Sequence, residues 1–119
     1  MRNSILILDD DKIRHKQFSK KYNTEMRTHV YDVEEAKKSI ESNSFDYMFL
    51  DHDLGGEQMV SSGEGTGYEL AKWIAEDSKR FPQKAIFIHS LNPVGRKNIK
   101  SILDSVGISN METPFIWKS

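Results

Sequence analysis

Five short apolar runs alternate with four amphipathic stretches, and that alternation restricts the chain more than any other feature. Ser4–Leu8 is a continuous leucine and isoleucine run, the pattern of a strand covered on both faces. Asp11–Tyr22 follows with helical spacing, then a weaker strand at Arg27–Tyr31. Asp32 before Val33, with Glu35 three residues on, is a carboxylate form of the helix-start signal, and Val33, Ala36 and Ile40 give that helix its apolar stripe. Phe45–Leu50 reads as the third strand, Asp51–Gly65 as a polar, glycine-bearing loop, and Gly67–Lys79 as the third helix. Ala85–Ile88 is the fourth strand, and Asn92-Pro93 opens a helix that Gly107 closes. Pro114–Trp117 reads as the fifth strand. Strict β-α alternation implies a mainly parallel sheet with helices on both faces. Five strands and four crossovers predict a doubly wound, three-layer α/β/α domain over residues 1–119 with strand order 2-1-3-4-5. In that order ligands bind at the carboxyl ends of strands one and three.

Composition removes several classes of function. There is no cysteine, so thiolate metal sites, disulfides and cysteine nucleophiles are excluded. The formal charge of −1 gives no general attraction for duplex nucleic acid or an anionic membrane. The longest aliphatic run, Ile5–Leu8, is far short of the roughly 18–20 residues of a membrane span, and the first residues do not form a signal peptide. The expected location is therefore cytoplasmic.

Chemistry-bearing residues collect where the strands end. Strand one runs into Asp9-Asp10-Asp11, strand three into Asp51-His52-Asp53 and strand four into His89-Ser90. Carboxylates gathered from separate strands repel unless a cation or proton relieves them, and a hard divalent ion, magnesium or manganese, suits Asp10, Asp51 and Asp53. His52 and His89 both follow apolar runs, where imidazoles serve as general acid and base or ligate a metal. His15 and His29 read as surface or satisfied core residues. Arg14 and Arg96 each lie one turn into a helix and carry forks suited to phosphate. Gly63, Gly65 and Gly67 form a glycine-rich helix entry able to approach a phosphate or act as a lid.

Leu8-Asp9-Asp10-Asp11, Phe49-Leu50-Asp51, Ser90 and Lys118 resemble a response-regulator receiver domain. Leu50-Asp51-His52-Asp53-Leu54-Gly55, Thr66-Gly67-Tyr68 and the run Ile88-His89-Ser90-Leu91-Asn92-Pro93-Val94-Gly95-Arg96 more specifically resemble the cyclic-phosphate processing receiver family, from Ile5 to about Met111. That resemblance implies a site of Asp10, Arg14, Asp51, His52, Asp53, His89, Ser90, Asn92, Gly95 and Arg96. Within it, His52, His89, Asp51 and Ser90 would be catalytic, and Arg14, Arg96, Asn92 and Gly95 would bind phosphate. The implied activity is a phosphoesterase acting on a cyclic nucleotide or an RNA end carrying a cyclic phosphate. Ordinary receivers carry no histidine after the acceptor aspartate and continue into a fifth helix; here the chain stops at Ser119, so the expected fold lacks that helix. Two other functions stay open: a phosphoacceptor signalling domain with Asp51 as nucleophile, and a non-catalytic module that sequesters a nucleotide.

Overall fold

A computed structural model describes residues 2–55 and 60–113. The strands are β1 (Ser4–Leu8), β2 (Met26–Val30), β3 (Tyr47–Leu50), β4 (Ala85–Ile88) and β5 (Asn110–Glu112). The helices are α1 (Lys12–Lys21), α2 (Val33–Ser42), α3 (Gly67–Ala75) and α4 (Pro93–Ser105), with a 3-10 turn at Ser78–Arg80 after α3. All neighbouring strands pair in parallel, in the order β2-β1-β3-β4-β5. The doubly wound order read from the alternation is the order found.

Period-two alternation divides the sheet between two cores. Leu6, Leu8, Met48, Leu50, Ile86 and Ile88 face α2, α3 and α4, which contribute Ala36, Ile40, Leu70, Ile74, Ile99 and Leu103. Ile5, Ile7 and Phe49 face the other way, onto Phe18 of α1, with Tyr22, Tyr47 and Phe87 partly buried beside them.

Local signals start the helices where the sequence places them. Asp11 caps α1, accepting from the Ile13 and Arg14 amides. Asp32 caps α2 by accepting from Glu35 N at 2.8 Å. Asn92 caps α4 by accepting from Gly95 N at 3.0 Å, with Pro93 in the first turn. Two expectations need correction. Helix α3 ends at Ala75 rather than Lys79, because Asp77 caps a separate 3-10 turn, accepting from Lys79 N at 2.9 Å. The fifth strand is Asn110–Glu112, paired Ile86↔Asn110 and Ile88↔Glu112. Pro114–Trp117 and Lys118 lie outside the described residues.

Candidate active site

The sheet register assembles the site. Ile7, Phe49 and Phe87 stand abreast on adjacent strands, on the α1 face. Two residues further along each strand come Asp9, Asp51 and His89, which share that parity. The ladder continues past the regular strands: Asp51 N donates to Leu8 O at 3.1 Å and His89 N to Leu50 O at 3.0 Å. Three residues far apart in sequence thus reach one spot with their main chains pinned. Among the described residues they are the group of acids and imidazoles able to share an ion, with candidate ligand atoms within 4.8 Å of one another.

Asp9 is the centre of this arrangement and is fully buried. Arg14 reaches back from α1 and grips it with a fork, Nε to Oδ2 at 2.7 Å and Nη2 to Oδ1 at 2.8 Å. The Asp11 amide donates to Oδ1 at 2.9 Å, and His89 Nε2 meets Oδ2 at 2.9 Å. Burial alone would raise the Asp9 carboxyl; His89 and Arg14 outweigh it and hold the group well below the usual carboxylate range. The same fork raises Arg14. His15 braces the main chain below, donating from Nε2 to Asp9 O at 2.8 Å, while its Nδ1 lies 2.6 Å from His29 Nδ1. Both histidines are satisfied there, as expected of them.

Asp51 has no comparable fork. Arg14 Nη2 reaches its Oδ2 at only 3.4 Å. Burial pushes its carboxyl up to about 6, with Asp9 and Asp10 adding to the rise and His89 and Arg14 offsetting part of it. Asp10 lies nearer solvent, 3.6 Å from Arg14 Nη2, and Asp11 approaches Nη1 at 3.3 Å. Four carboxylates therefore surround one guanidinium. A phosphate arriving alone meets net negative charge, so the donor set suits a divalent cation. Asp9 is a poor ligand for it, because both its oxygens already accept two hydrogen bonds. Asp10, more exposed and beside Asp51, fits better.

The residues on the other face form a second cluster. His52 is fully buried, with Nδ1 2.7 Å from Asp53 Oδ1 and Nε2 2.8 Å from Ser62 Oγ. Asn92 Nδ2 donates to Asp53 Oδ1 and to Val60 O, both at 3.0 Å. Gly95 lies against the His52 ring so closely that a Cβ there would stand 2.6 Å from Nδ1. Ser90 Oγ accepts from Asn92 N at 3.1 Å. Arg96 donates to Ser90 O at 2.7 Å and to Glu112 at 3.2 Å.

These positions correct the expected grouping. His52 and His89 do not form a pair across one substrate: His89 packs on Phe18 of α1, His52 on Gly95 of α4. Asp53 sits with His52, 2.7 Å from its Nδ1, and with Asn92. Arg96 is a strut rather than a partner for Arg14, and Asn92 and Gly95 organise the start of α4. The reason is the pleat, which turns neighbours such as Asp51 and His52 to opposite faces. Asp9, rather than Asp10, holds the centre of the rim. Its parity with Ile5 and Ile7 was the available signal. In the glycine-rich loop, Gly67 rather than Gly63 makes the close approach, with its N donating to His52 O at 2.9 Å and its missing Cβ leaving room for the Asp51 main chain.

A family model described as the cyclic-phosphate processing receiver domain matches residues 4–105. Comparison with curated proteins finds no match. Solved structures of similar fold include the BeF3-activated receiver domain of DrrB, at 18% identity, covering 99% of this chain and 88% of that one with a TM-score of 0.69. DrrB is described elsewhere as a Thermotoga maritima OmpR/PhoB homolog. The non-phosphorylated HemR receiver domain from Leptospira biflexa matches at 17% identity, 98% and 85% coverage and a TM-score of 0.70. A Burkholderia pseudomallei response regulator, with a phosphorylated aspartic acid, calcium ion and citrate, matches at 14% identity, 93% and 59% coverage and a TM-score of 0.68. At these identities the likeness is one of fold.

Proposed function

The chain belongs to the cyclic-phosphate processing receiver family, and from that membership we propose that it opens a cyclic phosphate, on a cyclic nucleotide or an RNA end, at the rim of Asp9, Asp10, Arg14, Asp51 and His89. The observation that carries this reading is the division of labour between two neighbouring aspartates. Asp9 is held ionised by Arg14 and His89, while Asp51 titrates near neutrality at about 6. A carboxylate poised there accepts a proton readily and returns it readily. In the proposed hydrolysis, Asp51 takes a proton from water as the water oxygen bonds to phosphorus. The bond from phosphorus to one ribose oxygen breaks, and Asp51 returns the proton to that oxygen. Asp9 orients Arg14 and His89, and the guanidinium charge of Arg14 restrains the negative charge gathering at the rim. Asp10, nearer solvent, would hold a divalent ion beside Asp51, and the chemistry of that ion is to neutralise phosphate oxygens.

A second reading has one specific support. The Burkholderia pseudomallei neighbour carries a phosphorylated aspartic acid, and Asp51 directly follows the third strand of the same fold. On this reading Asp51 is a phosphoacceptor. One experiment separates the two. The protein is incubated with cyclic mono-, di- and oligonucleotides, RNA 2′,3′-cyclic ends and acetyl phosphate, each with magnesium or manganese, and products are read by mass spectrometry. The expected result is a cyclic phosphate gaining one water, with turnover reduced about 10²–10⁴-fold in Asp51→Asn. No ring opening, together with phosphorylation of Asp51 by acetyl phosphate, would replace the esterase reading by the acceptor reading. Retention of a cyclic nucleotide without turnover would replace it by sequestration.

A further inference from the structure

We propose that Ser62, His52 and Asp53 form a second nucleophilic centre, which takes an acyl group from a small uncharged carboxylic ester entering the cleft beside α3 and α4. An ionised Asp53 only accepts, so the 2.7 Å contact puts the proton on His52 Nδ1. In the neutral imidazole Nε2 is then bare, and its 2.8 Å contact with Ser62 Oγ is a hydrogen bond donated by the serine. The result is hydroxyl to imidazole to carboxylate, in the order an activated serine requires.

The surroundings keep that order. Asn92 Nδ2 donates to Asp53 Oδ1 and orients the carboxylate. Gly95 presses on the imidazole face and His52 is completely buried, so the ring has no room to turn. Asn98 Nδ2 donates to Ser62 Oγ at 2.9 Å. It takes one of the two Oγ lone pairs and leaves the other for attack, and it is a donor close to any carbonyl that Ser62 attacks.

The serine also faces a space. Ser62 and Asn98 line a cleft of about 430 Å³ together with Tyr68, Ser101, Ile102 and Ser105. That volume suits a small organic ligand. None of the six lining residues carries a charge, so an anionic phosphate would lack compensation there, whereas a neutral ester would not. This lining differs in kind from the aspartate rim on the other sheet face, and the centre is independent of the activity proposed for that rim.

The chemistry closes on itself. Ser62 Oγ bonds to the ester carbonyl carbon as its proton passes to His52 Nε2. The bond from that carbon to the alcohol oxygen breaks, and the alcohol leaves with the proton from Nε2. Water then attacks the acyl-serine by the same route, releasing a carboxylic acid and restoring the hydroxyl. Asp53 acts through His52 as a positioning residue.

The test uses the full chain with p-nitrophenyl acetate as the probe, following nitrophenol release and locating acetyl groups by intact-mass and peptide mass spectrometry. The expected result is one acetyl group on Ser62. Ser62→Ala abolishes it while the protein still melts in one cooperative transition, at a somewhat lower temperature because His52 and Asn98 lose a hydrogen-bond partner. Asp53→Asn slows it about 10²-fold or more. Asp53→Glu restores part of the rate, which a merely structural role for Asp53 would not produce. Acetyl groups found only on lysines, or a release rate equal in wild type and Ser62→Ala, would overturn the proposal.

Discussion

Three consecutive aspartates meet three fates. Asp9 is buried in the Arg14 fork, Asp10 stands at the rim and Asp11 caps α1. Identical side chains differ here only in strand parity and in distance from the helix start. Asp51 carries the consequence for stability. Its folded carboxyl titrates near 6 against an ordinary value of 3.8, so the native state binds the proton more tightly than the unfolded state. Ionising it costs about 3 kcal/mol, a cost fully present above pH 6 and relieved as pH falls towards 4. Asp9 has the opposite sign: its contribution is present above the ordinary value and is lost only at lower pH. Asp51→Asn is therefore expected to gain stability relative to the metal-free wild type at pH 7.5, and the difference is expected to shrink by about 2.5 kcal/mol by pH 4. Urea titrations of both proteins across that range check it; a difference independent of pH would refute the assignment.

Among the elements, caps and turns were legible because they are local. Asp32, Asn92-Pro93 and Gly107 each act within a few residues of where they stand; Gly107 takes a left-handed φ of +77° after α4 while Ile108 N donates to Leu103 O at 3.1 Å. The edge strand was not legible. Asn110 and Glu112 are polar, and β5 exists because Ile86, Phe87 and Ile88 offer a free ladder to pair with. The entry to α3 was half legible, since glycine spacing marks a turn but not which glycine bears the contact. A Cβ on Gly67 would stand 2.8 Å from the carbonyl carbon of Asp51, with backbone on both sides. Gly67→Ala is expected to cost at least about 3 kcal/mol, above the ordinary range of overpacking. Gly63 has nothing within 4 Å, so Gly63→Ala is expected to stay within about 0.5 kcal/mol of wild type. Thermal or urea melts of the two variants separate close approach from turn chemistry.

At the scale of the molecule, a formal charge of −1 conceals a strongly polarised distribution. Four carboxylates converge on Arg14 at one edge of the sheet. A ligand that relieves this charge in the native state alone stabilises by mass action, about 2.7 kcal/mol at a hundredfold excess over Kd. Magnesium or manganese is expected to raise the melting temperature of the wild type, and to raise that of Asp10→Asn or Asp51→Asn much less. Asp53→Asn is expected to shift as the wild type does, because Asp53 belongs to the His52 cluster. A loss of the shift in Asp53→Asn would return that residue to the ion. Among the described residues no helix is long and apolar enough to cross a membrane.

The sequence by itself determined the alternation of strands and helices, hence the parallel sheet and its order, and it delivered acids and imidazoles to one edge. Those features follow from hydrophobic period and from capping chemistry, both of which act between near neighbours. Only the tertiary structure decided which of those residues work together. His89 meets Asp9 across 80 positions and Asn98 meets Ser62 across 36, and such meetings depend on strand register and on which helix covers which face. Asp51 and His52 are adjacent in the chain yet serve different clusters, because a pleated strand end turns consecutive side chains to opposite sides of the sheet.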